Sequence, residues 1–254
     1  VELNPRMTEL VADTYAEFAG HVYDDPRVVL HTAEARGYVA QSERRYDLVQ
    51  IGLLDSFAAA GAGVQALNES YLYTVEAIRE YLADLRPGGV GAITRWVKMP
   101  PRDSLKLAAI AIEALEQAGE VDPGRRIAVI RSWNTVTLLI KNGVFPASEI
   151  DAIREFAWSR SFDTAYFPGI TSADANRFNL LDRPWLHDGI QAMLGDGADR
   201  FFADYKYFVE PATDDRPYFS HFFKWRSLPE VMAMRASGGA GLIEWAYLIV
   251  VTTL

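Results

Sequence analysis

The segment Arg45–Ser56 constrains the fold more than any other part of the sequence. It joins a Tyr-Asp pair to a nearly continuous apolar run that ends on one carboxylate, Asp55. A strand covered by helices on both faces lacks polar alternation, so this run predicts a central parallel strand, and a buried helix segment is the alternative. Helical patterns lie on both sides of the run, which favours a strand within an α/β sheet. Because ligands of such sheets bind beyond the carboxyl ends of the strands, Asp55 is a candidate site residue.

The elements around this segment alternate between helical and strand patterns, which predicts a doubly wound α/β sheet. Further strands are predicted at Arg27–Thr32 and Val90–Trp96 and in an antiparallel pair, Arg126–Ser132 with Thr135–Lys141. Helices are predicted at Pro5–Ala19, Glu69–Leu85, Asp103–Gly119 and Ser148–Trp158, and a brief helix or a turn is predicted at Gly37–Gln41. In the first of them Met7, Leu10, Val11, Tyr15 and Phe18 are expected to face inward. Arg86–Gly89 is predicted to be a turn.

The amino-acid composition excludes some kinds of site and disfavours some partners. The 254 residues are 50% hydrophobic, carry a net charge of -9 and include no cysteine. The acidic balance gives no general attraction to nucleic acid, so nucleic acid is not an expected partner. The lack of cysteine excludes disulfides, thiolate metal sites and cysteine nucleophiles. The histidines show no metal-ligand spacing, and no metal is expected; they are His21, His31, His187 and His221.

The sequence changes character after Pro146, and residues 159–235 are rich in aromatic side chains without a clear period. So many aromatic residues have to pack on something, which predicts a lid or docking extension. Within it, Ala212–Phe219 (ATDDRPYF) places Asp214 and Asp215 between a hydroxyl and an Arg-Pro pair. One interpretation is a site that binds substrate; the other is a turn that caps its own backbone and pairs with Arg216.

The two ends of the sequence suggest a longer parent protein. Val1–Leu3 has the character of the last residues of a strand, and the preceding strand is expected upstream. Leu242–Leu254 is 13 residues long with Glu244 as its one charge. A spanning helix needs about 20 apolar residues, so this segment is either the first half of a membrane helix or a buried C-terminal segment. Gly238, Gly239 and Gly241 before it are interpreted as a hinge.

A glycine pattern at Gly61–Ala66 fits the dinucleotide-binding fingerprint. That fingerprint requires a strand immediately before it, whereas Ser56–Ala60 separates the pattern from the end of the predicted strand. We therefore interpret it as a flexible active-site loop.

Five motifs together resemble the spermidine synthase-like branch of the Rossmann-like, S-adenosylmethionine-dependent transferases. In chain order they are Val1–Pro5 (VELNP), Asp25–Val28 (DPRV), Glu34-Ala35, Tyr46–Val49 (YDLV) and Leu85–Gly89 (LRPGG). The resemblance covers about residues 1–145. Thr213–Pro217 (TDDRP) resembles a later motif of the membrane-bound, multi-domain members of that branch.

The resemblance implies roles for particular residues. Glu2 matches the acid that binds the ribose hydroxyls of the nucleoside, and Glu34 and Ala35 match the residues that contact the adenine. Asp55 matches the second of two acids after the central strand, which makes it the candidate catalytic and substrate-binding residue. Tyr71 lies where the family closes its pocket, and Asp214 and Asp215 complete the predicted substrate-binding set. A surface charge and a turn are the plain alternatives for Glu34 and Ala35.

One departure from the family pattern bears on mechanism. Gly52 stands where the family has its catalytic acid, and Ser56 replaces the usual proline. Aminopropyl transfer needs a base that leaves the attacking amine neutral, and glycine cannot supply one. The glycine-rich loop that follows the first strand in the family is expected upstream of Val1.

The sequence therefore predicts a Rossmann-like, spermidine synthase-type doubly wound sheet that lacks its first strand. Residues 1–145 are expected to form the transferase domain, 146–237 the aromatic-rich extension and 238–254 the start of a membrane segment. The expected activity is transfer of a methyl or aminopropyl group from S-adenosylmethionine or decarboxylated S-adenosylmethionine to a small amine-type acceptor. The alternative is a non-catalytic nucleotide-sensing or structural module of a membrane protein. The expected location is at a membrane with the transferase domain cytoplasmic, and self-association into a homo-oligomer is left open.

Overall fold

The computed structural model describes residues 1–54 and 68–229. These residues belong to two compact units, Val1–Arg44 and a larger unit that begins at Arg45. Asp55, the glycine pattern at Gly61–Ala66 and the predicted membrane segment lie outside the described residues. Each unit is described by itself below.

The first unit contains two short helices. Helix α1 (Pro5–Glu9) begins as predicted, because the Asn4 side chain accepts a hydrogen bond from the Arg6 amide and Pro5 takes the first helical position. It ends at Glu9 and continues as one π-helical turn, Leu10–Thr14. The prediction of a helix to Ala19 with a buried apolar face is wrong, since Phe18 is 92% exposed. A unit of this size buries too little apolar surface to cover such a face.

The predicted strands of the first unit are reduced to a single parallel bridge between Glu2 and Thr32. The Glu2 amide donates to the His31 carbonyl oxygen at 3.0 Å, and the Ala33 amide donates to the Glu2 carbonyl oxygen at 3.1 Å. Helix α2 (Ala35–Ala40) follows directly, so of the two alternatives predicted at Gly37–Gln41 the structure shows the helix, which begins two residues earlier. The bridge therefore sets Glu2 beside the chain that leads into α2.

The larger unit is built on a five-stranded mixed sheet flanked by helices, which confirms the predicted α/β fold class. The strands are β1 (Tyr46–Ile51), β2 (Leu85–Trp96), β3 (Ile127–Arg131), β4 (Thr135–Lys141) and β5 (Asp163–Tyr166). Their spatial order is β1-β2-β4-β3-β5. Strand β1 runs parallel to β2, and β4 lies antiparallel between β2 and β3. The predicted antiparallel pair is thus confirmed, although it lies inside the sheet and not at its edge.

Strand β1 confirms the predicted strand but lies at an edge of the described sheet instead of its centre. Within residues 1–54 and 68–229 its one strand partner is β2. The side chain of Leu48 is consequently 52% exposed. The continuous apolar run predicted that helices cover both faces of the strand, and the structure shows such cover on one face. There Val49 and Ile51 line a small apolar space with Ile78 of the following helix.

The predicted turn at Arg86–Gly89 is instead an irregular part of β2. The pairing of β1 with β2 shifts register between Tyr46 and Leu48, so the extra residues bulge out of the ladder. Gly88 has a φ of +82°, and a Cβ on Gly89 would lie 2.9 Å from the Tyr46 carbonyl oxygen. The two glycines therefore permit the bulge where other residues would be strained or would clash.

Within the described residues, five α-helices complete the larger unit around the sheet, and the first three of them lie near their predicted positions. They are α3 (Val75–Asp84), α4 (Asp103–Gln117), α5 (Ala147–Ser159), α6 (Trp185–Met193) and α7 (Ala198–Asp204). Twelve of the 15 residues of α4 are buried. A helix buried all round needs neighbours on every side, and α4 contacts α3, β2, β4 and α6.

The aromatic-rich extension packs as the sequence predicts, since Tyr205, Phe219 and Phe222 are buried. Its regular elements, β5, α6 and α7, are absent from the sequence prediction. In the part of the chain that the structure describes, no helix is both long and apolar enough to cross a membrane.

Strand β5 enters the sheet through a buried ion pair between Asp163 and Arg131, 2.8 Å apart. The Asp163 carboxylate also accepts hydrogen bonds from the backbone amides of Arg177, Phe178 and Asn179. Burial raises the pKa of Asp163, but these donors outweigh it and hold the pKa below the ordinary value. One carboxylate thus fixes both the edge strand and the loop that follows it.

Lys106 joins α4 to the extension and is 1% exposed. Its Nζ donates hydrogen bonds to the carbonyl oxygens of Tyr218 at 3.1 Å and His221 at 3.0 Å. The same atom lies 5.0 Å from the ring centre of Phe208 and 5.4 Å from that of Phe222. Burial outweighs the nearby negative charges and lowers the pKa of Lys106 to about 7.

This buried lysine predicts a pH-dependent stability. Between about pH 7 and the ordinary lysine pKa of 10.5, the unfolded chain carries a proton that the folded chain lacks. The free energy of unfolding should therefore rise with pH in this window, by at most about 1.4 kcal/mol per pH unit, and level off below it. Urea denaturation between pH 7 and pH 9 should show this slope for the natural chain and lose it in Lys106→Met. Parallel curves for the two proteins would contradict the assignment, because all other titrating groups are common to both.

Candidate functional site

The carboxyl ends of the two parallel strands define one edge of the sheet in the larger unit. Strand β1 ends at Ile51 and β2 at Trp96, so both ends lie at this edge. Helix α3 leads into the start of β2, which puts the beginning of α3 at the edge as well. This is the position at which open α/β sheets bind ligands. It is therefore where the predicted substrate-binding residues have to be sought.

Thr74 occupies the beginning of α3 and is fully buried. Its Oγ1 accepts a hydrogen bond from the Ala77 amide at 3.2 Å and so caps the helix. The same hydroxyl donates to Oδ1 of Asp214 at 2.7 Å. Two residues further along α3, Oε2 of Glu76 accepts a hydrogen bond from the Asp214 amide at 2.9 Å. The start of α3 thus binds both the carboxylate and the backbone of Asp214.

Two backbone hydrogen bonds attach the rest of the TDDRP motif to the same place. The Ser70 amide donates to the Pro217 carbonyl oxygen at 2.7 Å, and the Val75 amide donates to the Ala212 carbonyl oxygen at 2.9 Å. The motif itself turns between Thr213 and Arg216, which form an antiparallel bridge. We call Thr213–Arg216 the acidic turn. It is joined to residues more than 130 positions earlier in the chain.

The acidic turn brings three of the predicted substrate-binding residues into one neighbourhood, namely Tyr71, Asp214 and Asp215. The Tyr71 hydroxyl donates to Oε2 of Glu69 at 3.2 Å. This hydrogen bond raises the pKa of Tyr71, and the nearby carboxylate of Asp214 adds to the effect. Asp215, unlike Asp214, is exposed to solvent.

The turn of the alternative interpretation is present, and the Asp214 carboxylate has a partner outside it. The turn is closed by its backbone, since the Arg216 amide donates to the Thr213 carbonyl oxygen at 2.9 Å. The Asp214 carboxylate accepts a hydrogen bond from the Thr74 hydroxyl. A partner 140 residues away is invisible to a local reading of the sequence.

The predicted cofactor-binding residues lie in the first unit. Oε1 of Glu2 accepts a hydrogen bond from the Asn4 amide at 2.8 Å. Glu34 caps α2, because Oε1 accepts from the Arg36 amide at 3.1 Å and Oε2 from the Gly37 amide at 2.6 Å. Ala35 is the first residue of that helix.

These contacts test how well the residues fit a nucleoside. An ionised carboxylate offers about four lone-pair positions, and Glu2 uses one of them in the described structure. Glu2 therefore fits the role of an acceptor for two ribose hydroxyls. By the same count Glu34 retains two positions after it caps α2, which suffices to accept a hydrogen bond from an adenine amino group. The capping role of Glu34 was missed by sequence reasoning, because glutamate is not among the residues that usually mark the start of a helix.

A second set of polar residues near this edge was also missed. Arg95 lies at the end of β2, is 3% exposed, and its guanidinium carbon lies 5.0 Å from the ring centre of Tyr73 and 5.1 Å from that of Phe219. The buried Asp103 carboxylate lies 3.3 Å from the Lys98 Nζ and 3.9 Å from Arg95 Nη2. The signal was present in the sequence as four basic residues between positions 95 and 106, namely Arg95, Lys98, Arg102 and Lys106.

Residues 1–54 and 68–229 contain no group of three or more histidine, aspartate or glutamate side chains arranged to bind a metal ion. Asp55, the predicted catalytic residue, follows directly after Leu54 and is not among the described residues. The described part of the candidate site therefore consists of Tyr71 and the acidic turn, anchored by Thr74.

Comparison with known proteins gives a limited result. No family model matches the chain. Among solved structures, the chain is similar to spermidine synthase in complex with the transition state analogue AdoDATO, with 16% identity and a TM-score of 0.39. It is also similar to spermidine synthase from Thermotoga maritima, with 17% identity and a TM-score of 0.39. Each match covers 61% of this chain and 48% of the other, so the chain spans about half the length of these spermidine synthases.

Proposed function

We propose that this chain belongs to a transferase that moves a methyl or aminopropyl group from a sulfonium nucleoside to a small amine-type acceptor. The nucleoside would be S-adenosylmethionine or its decarboxylated form. The observation that carries the proposal is the acidic turn, which is anchored to the start of α3 at the edge where parallel β1 and β2 end. A protonated amine is a cation, and carboxylates at a strand end provide its natural counter-charge.

The nucleoside end of the proposal rests on Glu2. The bound sulfonium would supply the activated carbon, and the protein's part is to hold the ribose and adenine in place. Glu2 has acceptor capacity left for ribose hydroxyls beyond its bond to the Asn4 amide. Ala35 at the start of α2 offers a small side chain beside which an adenine ring fits.

The acceptor end rests on Tyr71, Asp214 and Asp215, with Asp55 as the proposed base. The attacking nitrogen has to lose a proton before it can form a bond to carbon. Position 52, which the family resemblance assigns to this task, carries no ionisable side chain. Asp55 is the next carboxylate along the chain and takes the catalytic role in this proposal.

A second candidate function is a non-catalytic module that senses a nucleoside or supports a membrane assembly. Gly52 favours it, since a Cβ built at this position meets no described atom within 4 Å. Contacts among the described residues therefore do not require a glycine here, and the glycine leaves the proposed base position without an ionisable group. Under both candidate functions we propose that residues 242–254 attach the protein to a membrane. We also propose that the transferase domain is cytoplasmic and that the protein self-associates.

The first test concerns nucleoside binding through Glu2. Calorimetry with S-adenosylmethionine, its decarboxylated form and a thioether nucleoside should detect binding to the longest protein that the gene encodes. Each charge-assisted hydrogen bond lost in Glu2→Ala should cost about 1.5–3 kcal/mol, which weakens binding at least tenfold.

Glu43→Ala is a matched control for this test, because Glu43 is an exposed carboxylate of the same unit. It should leave the dissociation constant unchanged. Equal affinities for Glu2→Ala and the natural protein, with both folded by circular dichroism, would reject Glu2 as a nucleoside ligand.

The second test concerns the missing base. Because position 52 lacks the carboxylate of the family pattern and the proposal leaves its task to Asp55 alone, aminopropyl transfer to putrescine should be weak in the natural protein. No described atom lies within 4 Å of a Cβ built at Gly52, so Gly52→Asp should raise the rate if the rest of the site is intact. Turnover of about 1 per second or faster without the substitution would show that another group, such as Asp55, already supplies the base.

A further inference from the structure

A small cavity lies between the end of α5 and the loop that follows β5. Its volume is about 70 Å³, and four aromatic rings contribute to its walls, namely those of Trp158, Phe162, Phe167 and Phe178. Strands β1 and β5 are the two outer strands of the described sheet, with three strands between them. The cavity is therefore separate from the candidate site at the ends of β1 and β2.

Two guanidinium groups and one hydroxyl group also line this cavity, those of Arg154, Arg177 and Thr164. In the described parts of the chain, none of these three side chains donates a hydrogen bond to another protein group. The Nη1 atom of Arg154 lies 3.8 Å from Oδ1 of Asp151, and the Nη1 atom of Arg177 lies 3.7 Å from Oδ1 of Asp174. Both distances exceed that of a hydrogen bond. The donors of the three groups are thus available to a ligand.

Aromatic rings hold both guanidinium groups in place. The guanidinium carbon of Arg177 lies 4.6 Å from the ring centre of Trp158, and that of Arg154 lies 5.8 Å from the ring centre of Phe167. Such cation–π contacts restrict a long side chain before a ligand arrives, so less conformational entropy is lost on binding. An ordinary surface arginine such as Arg200, whose side chain is 89% exposed, lacks this restriction.

The charge around the cavity favours an anion. Two carboxylates line the cavity as well, Asp163 and Asp174. Asp163 is neutralised by Arg131 at 2.8 Å and accepts hydrogen bonds from three backbone amides. The remaining charges of the lining are two arginines and one carboxylate, which leaves an excess of one positive charge.

We propose that this cavity binds the oxyanion of a small molecule, a phosphate or a carboxylate group, with Arg154, Arg177 and Thr164 as its donors. Arginine suits such a ligand, because its planar fork donates two hydrogen bonds to one oxyanion. The site goes beyond the proposed transferase function, since none of its residues takes part in group transfer.

The dimensions of the cavity indicate what the rest of the ligand is like. A pocket that encloses a whole drug-sized ligand has a volume of roughly 300 Å³ or more, so this cavity takes the anionic group alone. The rings of Trp158 and Phe178 lie edge to face with their centres 5.3 Å apart, and both are partly exposed. They offer a surface for an apolar body, which makes an aromatic oxyanion the expected class of ligand.

The experiment titrates the longest protein that the gene encodes with phenyl phosphate, benzoate and inorganic phosphate, and measures binding by calorimetry. We expect at least one of the two aromatic anions to bind saturably, and the tighter of them identifies the preferred oxyanion. Inorganic phosphate should bind more weakly than phenyl phosphate because it lacks the ring. The bound anion should also raise the melting temperature, as any ligand of the folded state does.

Substitutions assign the binding to the cavity. Arg154→Gln and Arg177→Gln should each weaken binding about tenfold, and Thr164→Val by a smaller factor, because each removes donors to the oxyanion. The two arginine variants should keep the melting temperature of the free protein, since these side chains are half-exposed and make no hydrogen bond within the described structure. Arg200→Gln is the matched control and should leave the affinity unchanged.

Two results would overturn the inference. One is the absence of saturable binding of both aromatic anions up to about 10 mM, a concentration that detects even millimolar affinity. The other is natural affinity in the double variant of Arg154→Gln and Arg177→Gln, which would place the bound anion elsewhere on the protein. Neither result touches the transferase proposal, which is tested by nucleoside binding.

Discussion

Helix α4 has to be covered on every side, and this requirement organises the larger unit. Twelve of its 15 residues are buried, most of them apolar. Each fully buried leucine or isoleucine contributes about 1.5–3 kcal/mol relative to exposure, so the face that points away from the sheet needs its own cover. The extension supplies that cover through α6 and the chain from Tyr205 to Phe222. An aromatic-rich segment without a regular pattern is thus an integral part of this core.

Polar contacts determine where the extension lies on this apolar surface. Lys106 donates to carbonyl oxygens of Tyr218 and His221, and the acidic turn that precedes them is bound by Thr74. Apolar contact alone is non-directional, whereas these bonds fix residues 213–221 in one register. The acceptor end of the proposed site is consequently a product of two sequence segments that each lack a complete site. A change that loosens the extension is expected to affect ligand binding before it affects the sheet.

The sequence predicted the elements whose pattern is local and missed those that depend on distant partners. The strands β1 to β4 and the helices α3 to α5 carry their own apolar periods, with boundaries shifted by a few residues. Strand β5 was missed because Asp163 looks out of place in a strand until its three backbone donors and Arg131 are known. The prediction for the first helix was wrong for the opposite reason. Its apolar period predicted a buried face, whereas the structure leaves Phe18 exposed. In the candidate site, Tyr71, Asp214 and Asp215 were named from a resemblance, but the role of Thr74 required coordinates.

Binding an amine and activating it place opposite demands on the same site. Carboxylates around a protonated amine favour the charged form and raise its pKa, which strengthens binding and opposes deprotonation. A catalytic site resolves the conflict with a base that accepts the proton in the transition state. In the proposed function the acidic turn would serve the first demand, while a glycine stands at position 52, where the resemblance expects a group for the second. The described residues of the proposed site are therefore better suited to holding a cationic acceptor than to activating it, and the proposal assigns the activation to Asp55.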